Sequence, residues 1–280
     1  MVEDLRRVLE WTGKNASRFG GNPDSIYLMG HGSGAHVSLL SIVQEAVVRS
    51  RDAYWLSSFT GNRQRSKSSK KRGNDEDEEQ DDDETASDSD SGNSTFDSRI
   101  EHHHHSVSGR GDIEISAGIR RLEIFGGEGI EVPAVKGMIL MAGVGDVIKH
   151  IRLEFKNGVE QPSPLRRALG PSHASCLMAS PSHLLYGAKQ IIDTEYLPKN
   201  FLLVHGGMDR DIPIIQTVLI RTLLQGIGIR NVSLKAYKDL SHMECITALC
   251  GARTSKYSGM LLGEIVGFIA GAEKAAAALD

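Results

Sequence analysis

Short apolar runs recur along the chain, and segments with a helical spacing of apolar residues separate them. Four runs have the length and composition of buried strands, namely residues 26–29, 136–142, 201–205 and 232–237. Residues 182–190 and 214–227 place apolar side chains three or four positions apart, which predicts helices. Because strands that alternate with helices are typical of a parallel sheet, we predict an α/β fold, with a mainly parallel sheet flanked by helices.

Amphipathic segments lie near both ends of the chain. Residues 2–19 repeat apolar side chains at an approximately helical period, and two glycines with Asn22 and Pro23 follow. We therefore predict a helix that leads into the first strand. A last helix is predicted over about residues 256–278 and should pack across the sheet. One face of it carries Leu261, Leu262, Ile265, Phe268 and Ile269.

The first strand and a glycine-rich stretch give two further expectations. A buried parallel strand at 26–29 needs neighbours on both sides, but only a helical segment precedes it. We therefore expect the chain to begin inside a fold whose N-terminal part is missing. Farther along, the glycines at 126–129 separate apolar residues 119–125 from 130–132, which predicts two short strands around a turn.

The composition changes abruptly between residues 61 and 112. Residues 61–72 are basic and rich in serine, residues 74–90 are dominated by Asp and Glu, and four histidines follow at 102–105. Almost no side chain here could join a core, so we predict a long disordered acidic insertion. The predicted α/β domain then has a first part at 1–60, in which the helix after the first strand ends near Arg51, and a second part at 113–280.

Net charge, cysteine spacing and hydropathy bear on the partners and the location of the protein. The formal net charge is −4, but residues 61–92 alone contribute six Lys/Arg and eleven Asp/Glu, so the rest of the chain carries +1. This balance gives no reason to expect a nucleic acid or an anionic membrane as partner. Three cysteines without metal-ligand spacing predict reduced thiols, and no apolar run is long enough for a membrane span. We expect a cytoplasmic protein, with targeting by a missing N-terminal region left open.

Candidate chemistry begins at residues 26–36, which read Ile-Tyr-Leu-Met-Gly-His-Gly-Ser-Gly-Ala-His. A strand, a tight glycine turn with a serine, and a helix are the signature of a nucleophile elbow. The usual Gly-x-Ser-x-Gly does not occur. If Gly30 and Gly34 are the small flanks, Gly32 takes the nucleophile position; if Ser33 is the nucleophile, its flanks are His31 and Ala35.

Two loops after the later strands offer partners for a serine. Asp209 follows the third strand and Ser241-His242 follows the fourth. Serine, acid and histidine in this order, each after its own strand, match the chain order of the α/β-hydrolase triad. His242 would take the proton of Ser33 and Asp209 would orient the imidazole, while Gly32 and Gly34 shape the elbow and its oxyanion-binding backbone. Alone, Asp209 is equally well a turn carboxylate, His242 a helix-start residue and Ser33 the N-cap of the following helix.

Five segments together resemble α/β-hydrolase esterases, most closely the branch with isoprenylcysteine methylesterases and kynurenine formamidases. They are residues 28–36, 158–165, 180–184, 205–213 and 240–242. The resemblance covers residues 2–51 and 133–270 and implies a partial α/β-hydrolase fold that acts on a small acyl ester or amide. In these relatives the elbow reads Gly-x-Ser-Ala-Gly-Ala-His, so the family serine falls on Gly32 and the family alanine on Ser33. The family's early strand with a His-Gly-Gly motif, which supplies oxyanion donors, has no counterpart in this chain.

Three functions follow from these observations. The first is a carboxylic ester or amide hydrolase that acts through Ser33, Asp209 and His242. The second is a pseudoenzyme with Gly32 in the nucleophile position, whose acidic insertion binds a basic protein. The third is a nucleotide-binding protein, which is disfavoured because the chain has neither a complete Gly-x-Gly-x-x-Gly nor a Walker loop. We expect no cofactor and no metal, since the histidines at 102–105 fit a polar low-complexity tract better than a metal site.

Overall fold

The computed structural model describes residues 1–69, 130–158, 163–251 and 255–278, with residues 115, 118–120 and 122 between the first two ranges. From residue 70 onwards, the predicted insertion, including its four histidines, lies outside the described residues. No helix in the described part of the chain is both long and apolar enough to cross a bilayer.

Four parallel strands form one sheet in the order of the sequence. Strand β1 (Ile26–His31) pairs with β2 (Val135–Met141), β2 with β3 (Asn200–Gly206), and β3 with β4 (Asn231–Tyr237). The four apolar runs thus become the four strands, and the predicted mainly parallel α/β sheet flanked by helices is confirmed. All four strands end at the same edge of the sheet, so the loops that follow them come close together.

The structure gives bounds for nine helices. They are α1 (Val2–Asn15), α2 (Ser33–Ser69), α3 (Val147–Lys156), α4 (Pro164–Leu169), α5 (His173–Met178), α6 (Pro181–Gly187), α7 (Ile215–Gly226), α8 (Glu244–Thr247) and α9 (Ser258–Ala277). Short 3₁₀ turns cover Ala16–Phe19 and Thr194–Tyr196.

The two central strands send alternate side chains into two cores. On one face, Met138, Leu140, Phe201 and Leu203 join the core that α2, α6 and α7 cover. On the other face, Ile139, Met141, Leu202 and Val204 pack against Leu261 and Ile265 of α9. Because both faces of β2 and β3 are buried, these strands read as unbroken apolar runs. At the edge of the described sheet, β1 is less covered, and Met29 is 40% exposed.

Three expectations about elements were wrong. The elbow helix continues to Ser69 instead of ending near Arg51, because no proline interrupts residues 52–69. Leu262 is 55% exposed, although the pattern placed it on the buried face of α9. Residues 130–132 form no strand, and residues 118–120 are helical. Ile115 and Ile119 are both buried, and their spacing of four residues is that of a helix face.

Candidate active site

The elbow consists of one residue between a strand and a helix. His31 ends β1, Ser33 begins α2, and Gly32 between them has a left-handed φ of +55°. The N–H of Gly32 donates to the carbonyl of Met141 at 2.9 Å, and its own carbonyl accepts from the N–H of His36 at 3.1 Å. These bonds fix the turn to the neighbouring strand and close the first turn of the helix.

Glycine is required at position 30 by the close approach of β1 and α2. A Cβ atom on Gly30 would lie 2.6 Å from the carbonyl carbon of Gly34 and 2.6 Å from the backbone nitrogen of Ala35. Real side chains do not approach backbone atoms so closely, so any larger residue would push the helix away. At Gly34 a Cβ atom would meet no atom within 4 Å.

Asp209 and His242 form a hydrogen-bonded pair at the ends of β3 and β4. The Oδ2 atom of Asp209 lies 2.7 Å from Nδ1 of His242, and the carboxylate is fully buried. Its other oxygen, Oδ1, accepts from the backbone N–H groups of Asp211 at 3.0 Å and Ile212 at 2.8 Å. An ionised carboxylate accepts the Nδ1 proton, which leaves Nε2 of His242 free to act as a base.

His205 stabilises the loop that carries Asp209. Its Nε2 donates to the carbonyl of Ile212 at 2.9 Å, so its Nδ1 accepts from the hydroxyl of Thr217 at 2.7 Å. Burial lowers the pKa of His205, although the Ile212 carbonyl and Asp209 act in the opposite direction. A neutral imidazole with both nitrogens satisfied has a structural task here, since it holds the loop that carries the carboxylate.

The free nitrogen of His242 faces Gly32. A Cβ atom on Gly32 would lie 3.4 Å from Nε2 and 3.7 Å from Cε1 of His242, with no other heavy atom within 4 Å outside the adjoining residues. Gly32 is buried, whereas Ser33 is exposed at the first position of α2. The structure therefore brings Gly32, Asp209 and His242 together. Within the described residues, Ser33 makes no hydrogen bond to His242.

His31 is a contact that the sequence did not indicate. Its Nε2 donates to the backbone carbonyl of His242 at 2.9 Å, and the two imidazole rings lie 4.5 Å apart. Burial lowers the pKa of His31, which favours the neutral ring. The bond connects the end of β1 to the backbone of His242, so it helps to set the position of His242 relative to Gly32.

Sequence comparison finds short matches to curated proteins, and no family model matches the chain. The probable isoprenylcysteine α-carbonyl methylesterase ICMEL2 of Arabidopsis thaliana is 41% identical over 51 residues, which is 18% of this chain and 12% of that protein. The corresponding ICMEL1 protein is 34% identical over 61 residues, 21% of this chain and 13% of that protein. The matches thus span about an eighth of the length of these relatives. They support an esterase-type α/β-hydrolase family.

Two solved structures align with most of the chain at low identity. A truncated carbohydrate esterase from gut microbiota has a TM-score of 0.49 and 12% identity, with 98% of this chain and 68% of that chain covered. An acetyl ester-xyloside bifunctional hydrolase from Caldicellulosiruptor lactoaceticus has a TM-score of 0.44 and 12% identity, over 95% of this chain and 66% of that chain.

A second group of ionisable residues lies on α3, within electrostatic range of Asp209 and Asp211. Burial lowers the pKa of His150, while the charges of Glu154, Asp209 and Asp211 act against this shift. His150 Nε2 lies 4.0 Å from a carboxylate oxygen of Glu154. In the described residues the Nδ1 atom of His150 is buried without a hydrogen-bond partner. The sequence-based prediction missed these residues because it did not assign α3.

Among the residues that the structure describes, one group of side chains near the elbow could hold a metal ion. Ligand atoms of Asp209, Asp211 and His242 lie within 4.8 Å of one another. Because Asp209 Oδ2 and His242 Nδ1 are already hydrogen-bonded to each other, a metal would have to compete with that bond. The arrangement therefore serves proton transfer better than metal binding.

Proposed function

We propose that this chain binds carboxylic esters or amides at the end of its sheet, with Asp209 and His242 as the acid–base pair and Gly32 in the nucleophile position. The observation that carries the proposal is the distance of 3.4 Å between His242 Nε2 and the Cβ position of Gly32. In a serine hydrolase the general base lies opposite the nucleophile in this way. The short matches to methylesterases support an acyl ester as substrate.

The consequence of a glycine at this position is chemical. Serine catalysis requires a hydroxyl whose proton passes to the histidine while the oxygen attacks the acyl carbonyl. Gly32 offers no such oxygen, so no acyl-enzyme forms at position 32. The remaining parts of the site are still useful for binding an ester: the first N–H groups of α2 have no partner within the helix and point toward the elbow. In this proposal the chain binds an ester but cannot hydrolyse it through a serine acyl-enzyme.

Ser33 supports a second candidate function, a serine hydrolase with the elbow shifted by one residue. Its hydroxyl is exposed at the start of α2, directly after the position that His242 faces. The tight contact of Gly30 with Gly34 and Ala35 favours the Gly32 register instead, because the smallest flanks then stand two residues either side of position 32. A basic protein bound by the acidic residues at 74–90 is compatible with either candidate.

A fluorophosphonate probe and a short p-nitrophenyl ester separate the candidates. The wild-type chain should not be labelled, whereas Gly32→Ser should be labelled at position 32 and should hydrolyse the ester. Adding His242→Ala to Gly32→Ser should abolish both reactions. Labelling of the wild-type chain at Ser33, lost in Ser33→Ala, would establish the second candidate. A folded Gly32→Ser variant that neither reacts with the probe nor turns over the ester would overturn the esterase proposal.

A further inference from the structure

The space in front of His242 is open although Gly32 itself is buried. Beyond the adjoining residues, only the two ring atoms of His242 lie within 4 Å of the Cβ position of Gly32. A serine would fill this space with a CH₂OH group. With glycine, the same space can take a solvent-sized molecule that hydrogen-bonds to Nε2.

We propose that a water molecule or a small alcohol occupies this space and attacks the ester directly, with His242 as its general base. The inference rests on the proposed function, because it needs an ester bound beside Gly32. The hydrogen bond from Nδ1 of His242 to the buried Asp209 carboxylate at 2.7 Å places the single proton of the neutral ring on Nδ1, so that Nε2 is the acceptor, and it stabilises the imidazolium once it forms. These are the requirements for general-base catalysis by a histidine.

The reaction balances without any further reactant. Nε2 of His242 removes the proton from water as the water oxygen forms a bond to the acyl carbon. The carbonyl oxygen carries the negative charge of the tetrahedral intermediate, near the N–H groups at the start of α2. The bond between the acyl carbon and the leaving oxygen then breaks, and the imidazolium returns the proton to that oxygen. The products are a carboxylic acid and an alcohol, or a new ester when a small alcohol replaces water.

Direct attack and attack by a serine differ in their kinetics. In a serine enzyme methanol acts only after the acyl-enzyme forms, so it diverts product without accelerating the consumption of ester when acylation limits the rate. In direct attack methanol competes with water in the same step. Ester consumption should then rise with methanol concentration, the methyl ester should form in proportion, and no stoichiometric burst of leaving group should appear.

The experiment uses the full chain and p-nitrophenyl acetate with increasing methanol, and subtracts the rate in buffer. We expect wild-type consumption to rise with methanol and to fall by about 10²-fold or more in His242→Gln, the usual contribution of a general base. Gly32→Ala should lose most of the methanol-dependent rate, since the methyl group fills the open space 3.4 Å from Nε2. Thr222→Ala, an exposed change on α7, is the matched control and should behave as wild type.

Three results would overturn the inference: a burst equal to the enzyme concentration, a rate that does not respond to methanol, or a rate unchanged in His242→Gln. Because alanine at a φ of +55° is strained, thermal melting must show that Gly32→Ala is folded; the methanol response and His242→Gln decide the matter without it. If the wild-type chain is inactive with every nucleophile while Gly32→Ser turns over ester, this inference fails and the proposed function stands. If folded Gly32→Ser is inactive as well, the proposed function fails.

Discussion

His242 Nδ1 lies 2.7 Å from Asp209 Oδ2, although 33 residues separate the two along the chain. The pair forms because β3 and β4 are parallel neighbours, so the loops after them leave the same edge of the sheet. Backbone N–H groups of Asp211 and Ile212 hold the second carboxylate oxygen, which fixes the direction of the first. The hydrogen-bonded pair of Asp209 and His242 is thus built into the fold, and its geometry does not depend on Ser33.

The first prediction tests the orienting role of Asp209. In a Gly32→Ser background, Asp209→Asn should lower the rate of ester hydrolysis by about 10⁴-fold, because the amide no longer holds His242 in the required tautomer. The Oδ1 atom remains an acceptor for the turn, so the thermal midpoint should change little. Steady-state kinetics on both variants measure the effect. A loss of less than tenfold would show that Asp209 is only a turn residue.

The second prediction concerns His31 as a positioning residue. In the same background, His31→Ala should reduce kcat, because His31 Nε2 no longer fixes the His242 carbonyl at 2.9 Å and a misplaced base costs up to about 10²-fold. KM should stay near its original value, since His31 is not expected to touch the ester. His31→Gln keeps an N–H donor and should restore part of kcat. Equal losses in both variants, accompanied by lower melting temperatures, would indicate a purely structural role.

The sequence predicted the sheet well and the helices unevenly. The apolar runs of β2 and β3 are long because both faces are buried, so their positions followed from composition. The helices α3, α4 and α5 are six to ten residues long and gave too few periods to stand out. One signal could have identified α3: Asp146 precedes an apolar helical spacing and caps the helix by accepting from the N–H of Lys149.

The elbow was the least predictable part of the site. Residue types allow a nucleophile at Gly32 or at Ser33, and the two alternatives differ by one position. The quantities that bear on the choice are a φ of +55° at Gly32 and its distance from His242 Nε2. Neither quantity can be predicted from the local sequence. The end of β1 and the loop after β4 come together only because the four parallel strands end at the same edge of the sheet. The contact of His31 with His242 escaped prediction for the same reason.

The third prediction concerns the joint between α1 and α2. The Arg6 side chain is 1% exposed, donates to the carbonyl of Ser41 at 3.2 Å, and lies 3.6 Å from an oxygen of Glu45. Glu45→Gln should lower the free energy of unfolding by about 3–5 kcal/mol, because it leaves a buried guanidinium without its counter-charge. Glu3→Gln, which removes an exposed ion pair with Arg7, should cost less than about 1 kcal/mol. Urea unfolding measures both, and equal costs would contradict the argument.

The fourth prediction is a pH dependence of stability that arises at Asp146. This carboxylate is 2% exposed and caps α3, and one of its oxygens lies 3.5 Å from His183 Nε2. Burial alone would raise the pKa of Asp146, but hydrogen bonds from His183 and the N–H of Lys149 together lower it to about 2. Because the folded-state pKa is below the unfolded value of about 3.9, the charge stabilises the fold above pH 4, and this contribution disappears as the pH falls towards 2.

A shift of this size corresponds to about 2–3 kcal/mol, which sets the scale of the Asp146 measurement. Asp146→Asn keeps an oxygen that can accept from the N–H of Lys149, so the variant removes the charge and retains the helix cap. We expect the difference in unfolding free energy between wild type and Asp146→Asn to be largest at pH 5 to 6 and to shrink steadily below pH 4. Urea unfolding at a series of pH values gives this difference directly. A difference that stays constant from pH 6 to pH 3 would mean that the ionised carboxylate contributes nothing specific, and that the cap alone accounts for Asp146.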